Sequence, residues 1–184
     1  MEKSSWRVGT LLIALLFCAF MGGCAAPPVQ TDTVYFSPRG GCTDAIVRNL
    51  AAARESVLVQ AYSFTSEPIA EALVKAHRRG VNVQVILDKS QRTEKHSVAH
   101  LLRAAGIPVF IDDKYAIAHN KVMVIDGRVV ITGSFNFTKA AEVSNAENLL
   151  VIEDEEIAGI YALNWQNHQA RSKPYEQKAA DKRE

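Results

Sequence analysis

Cysteine is scarce in this chain. Three cysteines among 184 residues cannot frame a disulfide scaffold, so the fold has to rest on buried apolar surface. Neither sign of charge is in excess: 21 Lys and Arg stand against 20 Asp and Glu. That balance excludes the strongly basic profile of a protein that merely coats nucleic acid, and any grip on phosphate must come from a local cluster. With 10 glycines and 6 prolines, collagen-like and disordered compositions are excluded as well. No internal repeat is present. What is there, 48% hydrophobic and 22% charged residues, is an ordinary globular composition at the length of about one domain.

The chain opens with Glu2, Lys3 and Arg7 and then runs uncharged from Leu11 to Met21, followed by Gly22, Gly23, Cys24, Ala25 and Ala26. Charged, apolar, small-residue order is that of a secretory signal, so residues 1–26 are read as a targeting segment and the protein as exported to the periplasm or envelope. The apolar run is shorter than the roughly 20 residues a spanning helix needs, which argues against an uncleaved anchor. Met21-Gly22-Gly23-Cys24 also resembles a bacterial lipobox, with Met21 in place of the usual Leu. Cleavage before Cys24 and lipid attachment there is the expectation. Cys42 is read as a small buried thiol.

Periodicity and punctuation place the elements of the mature chain. A short strand over 34–36 ends at Ser37-Pro38-Arg39-Gly40-Gly41, and helical spacing of Ile46, Val47, Leu50 and Ala51 predicts a helix over 43–54. A strand over 57–62 precedes a helix capped by Ser66, with Pro68 in its first turn and Gly80 at its end. Strand 81–87, a helix over 94–105 ending at Gly106 and a short strand over 107–111 follow. A strand over 117–125 is joined to 128–132 through Asp126-Gly127, a strong hairpin signal. Strand 147–152 and a helix over 154–170 close the domain, read as 33–170, and residues 171–184 are read as a disordered charged tail. Strands alternating with helices, plus one hairpin, predict an α/β domain with a mixed sheet flanked by helices on both faces.

Chemistry concentrates in 113–140. In a strand, His119 and Lys121 share a face. An imidazole beside an ammonium suits a phosphodiester: the ring can attack phosphorus while the cation offsets charge on the non-bridging oxygens. Gly133-Ser134-Phe135-Asn136 lies where a strand ends, and its hydroxyl, amide and free N–H groups can hold a phosphate. Glu147, opening the next strand, is expected to accept a hydrogen bond from the second nitrogen of His119 and so set its tautomer.

Taken together, His119, Lys121, Asp126, Gly133, Ser134 and Asn136 match, without a gap, the His-x-Lys, Asp and Gly-Ser-x-Asn spacing of the phospholipase D superfamily, which this chain resembles. The segments 61–65 and 133–142 resemble its small bacterial endonucleases. The resemblance implies a phosphodiesterase with the phospholipase D/nuclease fold. It makes His119 the nucleophile of a phosphohistidine mechanism, Lys121, Ser134 and Asn136 the phosphate ligands, and Glu147 the residue that orients the histidine. Asp126 belongs to the signature, yet it sits in the hairpin turn and by alternation faces away from His119, so a structural role is expected of it.

No metal or other cofactor is expected: Lys121, Ser134 and Asn136 supply the charge and hydrogen bonds that a metal nuclease takes from its ion, and no carboxylate cluster is visible in the sequence. Nucleic acid is the favoured substrate, DNA first and RNA second. Phospholipid is the alternative, and a non-catalytic nucleic-acid-binding module is the remaining one, disfavoured because binding needs no nucleophile. Lys89, Arg92 and Lys95 leave the carboxyl end of strand 81–87, where open α/β sheets commonly hold ligands, and are candidates for flanking phosphates. His96 and His100 stand one helical turn apart as a metal pair can, but no third ligand accompanies them, so they are read as surface residues. His77 and His168 have no partners in the sequence. The mechanism needs two histidines, nucleophile and acid, while the chain carries one His-x-Lys. A homodimer sharing one composite site is therefore expected.

Overall fold

The computed structural model describes residues 32–176. The expectations for residues 1–26 and Cys24 lie outside it, as does the tail beyond residue 176.

Eight strands form one mixed sheet: β1 Thr33–Phe36, β2 Ser56–Ala61, β3 Asn82–Asp88, β4 Val109–Asp112, β5 Lys121–Ile125, β6 Val129–Gly133, β7 Asn148–Glu153 and β8 Lys173–Pro174. Their order across the sheet is β1-β7-β6-β5-β2-β3-β4-β8. Only β2/β3 and β3/β4 pair in parallel; β5, β6, β7, β1 and β8 join antiparallel. The two parallel pairs are the ones with helical crossovers, α2 (Glu67–Arg78) and α3 (Ala99–Ala104), as parallel neighbours require.

Alternation along the strands sorts the core. Val57, Val59 and Ala61 of β2 with Met123 and Ile125 of β5 join the larger buried cluster, which also holds Ile46 and Leu50 of α1 (Cys42–Ala52) and Ile69 and Leu73 of α2. On the opposite face Val122, Val124 and Val130 pack against Ala158, Ile157 and Tyr161 of α5 (Glu155–Gln169). Trp165 of α5 reaches through to the sheet, its indole N–H donating to the Val59 carbonyl at 2.8 Å. Helices thus cover both faces, as the strand–helix alternation implied. Cys42 is fully buried, and burial, with a smaller contribution from Glu142, pushes its thiol up to about 11.

Several boundaries differ from the sequence reading, each for a local reason. The strand expected from 117 begins only at Lys121 because the Ala118 N–H is taken by the Asp88 carboxylate, at 2.8 Å, and not by a neighbouring strand. The helix expected over 94–105 starts at Ala99, since the Val98 N–H bonds the Phe64 carbonyl. Lys89–Arg92 instead form a 3-10 turn capped by Asp88. Ser66 occupies the N-cap of α2 without a side-chain capping bond. A fourth helix, α4 (Lys139–Val143), capped by Thr138, was not anticipated. Nor was β8: residues 173 and 174 pair with β4, and the Tyr175 N–H bonds the Val109 carbonyl, so the start of the expected tail covers the sheet edge. His168, expected to lack a partner, has its Nδ1 2.6 Å from the fully buried Asp112 carboxylate.

The hairpin turn is as the Asp-Gly pair implied. Asp126 and Gly127 have φ of 53° and 64°, both left-handed as a type I′ turn demands.

Candidate active site

At one edge of the sheet β1, β2, β3, β4 and β6 end while β5 and β7 begin. Tyr62, His119, Lys121, Ser134, Asn136 and Glu147 all belong to that edge, because each lies within three residues of a strand terminus, with Lys121 itself opening β5. Asp126 follows β5 on the other side, five residues from Lys121 and so about 16 Å away at a strand's rise per residue.

Lys121 is 6% exposed. Its ammonium donates to the His119 carbonyl at 2.9 Å and lies 5.1 Å from the centre of the Tyr62 ring. Burial holds its pKa below the ordinary lysine value, partly opposed by the nearby Glu147 carboxylate. A cation that is poorly hydrated and only partly balanced is well prepared to meet a phosphate. His119 is exposed, and its imidazole packs on Tyr62 with ring centres 4.6 Å apart. Tyr62 therefore touches both members of the His-x-Lys pair.

The other half of the site comes from the β6 terminus. Gly133 has φ +141°, and a side chain there would collide with the Asn148 carbonyl oxygen and come within 2.8 Å of Asn148 Oδ1. Only glycine permits this approach. The same carbonyl accepts the N–H groups of Ser134 and Phe135, at 3.1 and 3.2 Å, turning the chain so that Ser134 stays at the surface. Phe137 then bridges in parallel to Phe64, and its carbonyl accepts the Thr65 and Ser66 N–H groups. That lays the Gly-Ser-x-Asn segment beside the end of β2.

Glu147 does not bond His119. Its carboxylate accepts the Ser134 hydroxyl at 2.6 Å and the Asn145 side-chain amide at 3.0 Å. The Ser134 oxygen accepts in turn the Asn148 N–H. Glu147 fixes Ser134 and faces Lys121, whereas contact with the His119 ring falls to Tyr62. Tyr62 was legible only as the residue closing strand 57–62.

Asp126 is engaged elsewhere. Its carboxylate accepts the N–H groups of Arg54, Glu55 and Ser56, at 3.0, 2.8 and 2.9 Å. Burial works to raise its pKa, but the three donors outweigh it and hold the carboxyl below the ordinary value.

A cleft of about 1270 Å³ opens from Tyr62 and Asn136 and runs between the start of α2 and the 94–101 segment. The basic loop divides on it. Lys95 lines the cleft, as do His96 and His100. Lys89 instead donates to the Tyr115 carbonyl at 3.0 Å, and Arg92 pairs with Asp113 at 3.4 Å. Lys139, which the sequence reading passed over, lines the cleft too, and Asp44, Glu67 and Glu94 also contribute to its walls. Among the described residues no group of three or more His, Cys, Asp and Glu side chains is placed to hold a metal ion, and no helix is long and apolar enough to cross a membrane.

A family model described as cardiolipin synthase, PLD-like domain, matches residues 46–168. A phospholipase D of Rickettsia conorii is 48% identical over 135 residues, covering 73% of this chain and 68% of that protein. A mitochondrial cardiolipin hydrolase of Canis lupus familiaris is 39% identical over 116 residues, 63% of this chain and 46% of that protein. Among solved structures, Nuc from Salmonella typhimurium, a phospholipase D family member, superimposes with a TM-score of 0.76 at 36% identity, over 79% of this chain and 98% of Nuc.

Proposed function

Because this chain belongs to the phospholipase D superfamily and is a phosphodiesterase of that family, we propose that it is an endonuclease of little sequence preference, acting on DNA, with RNA as the second nucleic-acid substrate. The observation that carries the reading is the placement of His119, Lys121, Ser134 and Asn136 at one sheet edge, where Tyr62 and Asn136 also line a cleft far larger than one phosphodiester needs. The hydroxyls of Ser63, Thr65 and Thr138 and the cations Lys95 and Lys139 line that cleft, which suits a chain carrying further phosphates. Asp44, Glu67, Glu94 and Glu142 also line the cleft and restrict such contacts to part of its wall.

In the proposed reaction a His119 nitrogen attacks phosphorus while Lys121, Ser134 and Asn136 hold the non-bridging oxygens. The P–O bond to the leaving alcohol breaks, and a protonated second histidine supplies the alcohol's proton. Water then attacks the phosphohistidine and restores the free ring. Two imidazoles of opposite protonation are required, and one chain carries one His-x-Lys. The active species in this reading is a homodimer in which His119 meets its counterpart across the two-fold axis. No metal or other cofactor takes part. Export through residues 1–26, with lipid attachment at Cys24, belongs to the same proposal.

A phospholipid substrate, by hydrolysis or phosphatidyl transfer, is the second reading. The names of the relatives favour it, as do the exposed Phe36 and Ile117, which flank Glu147 and His119 in the chain arrangement at the site edge. Incubating the protein in excess chelator with plasmid DNA, with RNA and with phospholipid vesicles separates the two. Cleavage of nucleic acid, absent in His119→Ala, is expected. Headgroup release with nucleic acid left intact would replace the first reading by the second.

A further inference from the structure

The His119 ring makes no hydrogen bond among the described residues and packs on the Tyr62 ring. Its position must therefore come from the backbone that carries it. Three bonds do this. On the C-terminal side the Tyr62 N–H donates to the Asn120 carbonyl at 2.8 Å. At His119 itself the carbonyl accepts Lys121 Nζ. On the N-terminal side the Ala118 N–H donates to Asp88 Oδ2 at 2.8 Å.

The third bond is the unusual one. Residues 113–120 lie outside every strand, so the ladder gives the Ala118 N–H no partner. Ala118 is 4% exposed, and without Asp88 its N–H would be a buried donor with no acceptor. Asp88 ends β3, is 3% exposed, and is itself fixed by the Ser90 N–H on Oδ1 at 2.9 Å. Burial alone would raise its pKa, but the Ala118 and Ser90 N–H groups, the Ser90 hydroxyl and the Lys89 charge prevail and hold it below the ordinary carboxylate value. Oδ2 thus receives Ala118, while Ser90 binds the carboxylate through its N–H and its hydroxyl. Its neighbour in register on β4, Asp112, holds the start of the same segment through the Lys114 N–H and His168.

We propose that Asp88 is a positioning residue for the nucleophile: through the Ala118 N–H it sets where the His119 backbone, and hence the imidazole, stands relative to Lys121 and the bound phosphorus. The inference rests on the proposed role of His119. Asp88→Asn keeps the size of the side chain but offers one acceptor oxygen to two N–H groups, and turns an amide N–H₂ toward the other. The Ala118 segment is then released while β3 remains in the sheet.

The test compares wild type, Asp88→Asn, Asp88→Ala, His119→Ala and Trp165→Phe on a chromogenic aryl phosphodiester and on whichever polymer or lipid the wild type cleaves. Misplacing a reacting group by about 1 Å can cost on the order of 100-fold. The expected result for folded Asp88→Asn is a kcat lower by about 10- to 100-fold at nearly unchanged KM, with the same fall in single-turnover phosphoenzyme formation, and a larger fall for Asp88→Ala. Trp165→Phe loses a buried bond on another part of the sheet and should keep its kcat. A folded Asp88→Asn with wild-type kcat, or with a loss confined to KM, overturns the proposal. So does an equal fall in Trp165→Phe, which would make the effect one of stability. Should neither Asp88 variant fold, amide hydrogen exchange of the wild type decides: Ala118 should be protected like a strand residue, and exchange at the rate of an open loop overturns the bond. Activity retained by His119→Ala would instead overturn the functional reading on which this rests.

Discussion

Replacing Asp126 by Asn should weaken the fold and leave the chemistry standing. The carboxylate gathers three backbone N–H groups, two from the loop after α1 and one from the start of β2. Hydrogen bonds to a charged group are worth about 1.5–3 kcal/mol each. They do not add here, because one carboxylate serves all three and Arg54 and Glu55 are exposed, so water can take over their donors. In the Asn variant the retained oxygen can still accept from Glu55 and Ser56, and Asn tolerates the left-handed φ of 53°. The loss should be about 1–2 kcal/mol, or roughly 4 °C in Tm per kcal/mol for a domain of this size. Asp126→Ala loses every acceptor and adds left-handed strain, so about 3 kcal/mol is expected. The carboxyl's native pKa is depressed, so its contribution is complete above the unfolded value near pH 4 and fades as pH falls through the lower native value. The stability gap between wild type and Asn variant should therefore close below about pH 4. Thermal melts across pH, with kcat measured well below the variant's Tm, give both numbers. A variant of wild-type stability without activity would refute the structural role and return Asp126 to the chemistry.

Further outcomes are fixed by the same geometry. Gly133→Ala sets a methyl against the Asn148 carbonyl at φ +141°, so it should cost about 2 kcal/mol or more and displace Ser134 and Asn136, lowering both Tm and kcat; a neutral variant would show that the β6 terminus can relax. Lys95→Ala should reduce the slope of log affinity for DNA against log salt by about one, whereas Arg92→Ala, which breaks only the Asp113 pair, should leave it unchanged; equal slopes in titrations of both would remove Lys95 from the interface. Mixing wild-type with His119→Ala chains after subunit exchange should lower activity faster than the wild-type fraction, since at equal amounts about a quarter of the dimers keep both histidines; a linear fall would mean that each chain works alone.

The sequence by itself determined what depends on neighbours along the chain. Short apolar runs specified strands over 57–62 and 117–125, the second of which forms only from Lys121, Asp126-Gly127 specified the turn, and the spacing from His119 to Asn136 specified the family and the candidate site, because residues at strand termini recur at fixed intervals whenever the strands keep their length. The position of Asp126 in that turn was enough to expect a structural role. Tertiary structure alone decided what depends on residues far apart in sequence. Glu147 was assigned to His119, yet its carboxylate is taken by Ser134 and Asn145, since the β6 terminus brings a hydroxyl closer than the imidazole. Lys89 and Arg92 share a charge run with Lys95, but the 3-10 turn capped by Asp88 directs them to Tyr115 and Asp113. The strand expected from 117 gave way to a segment anchored on Asp88, thirty residues earlier. Local periodicity reports which face a residue prefers; it carries no term for a buried carboxylate that takes a backbone N–H from the ladder, and that competition was resolved only when β3, β4 and β5 were assembled side by side.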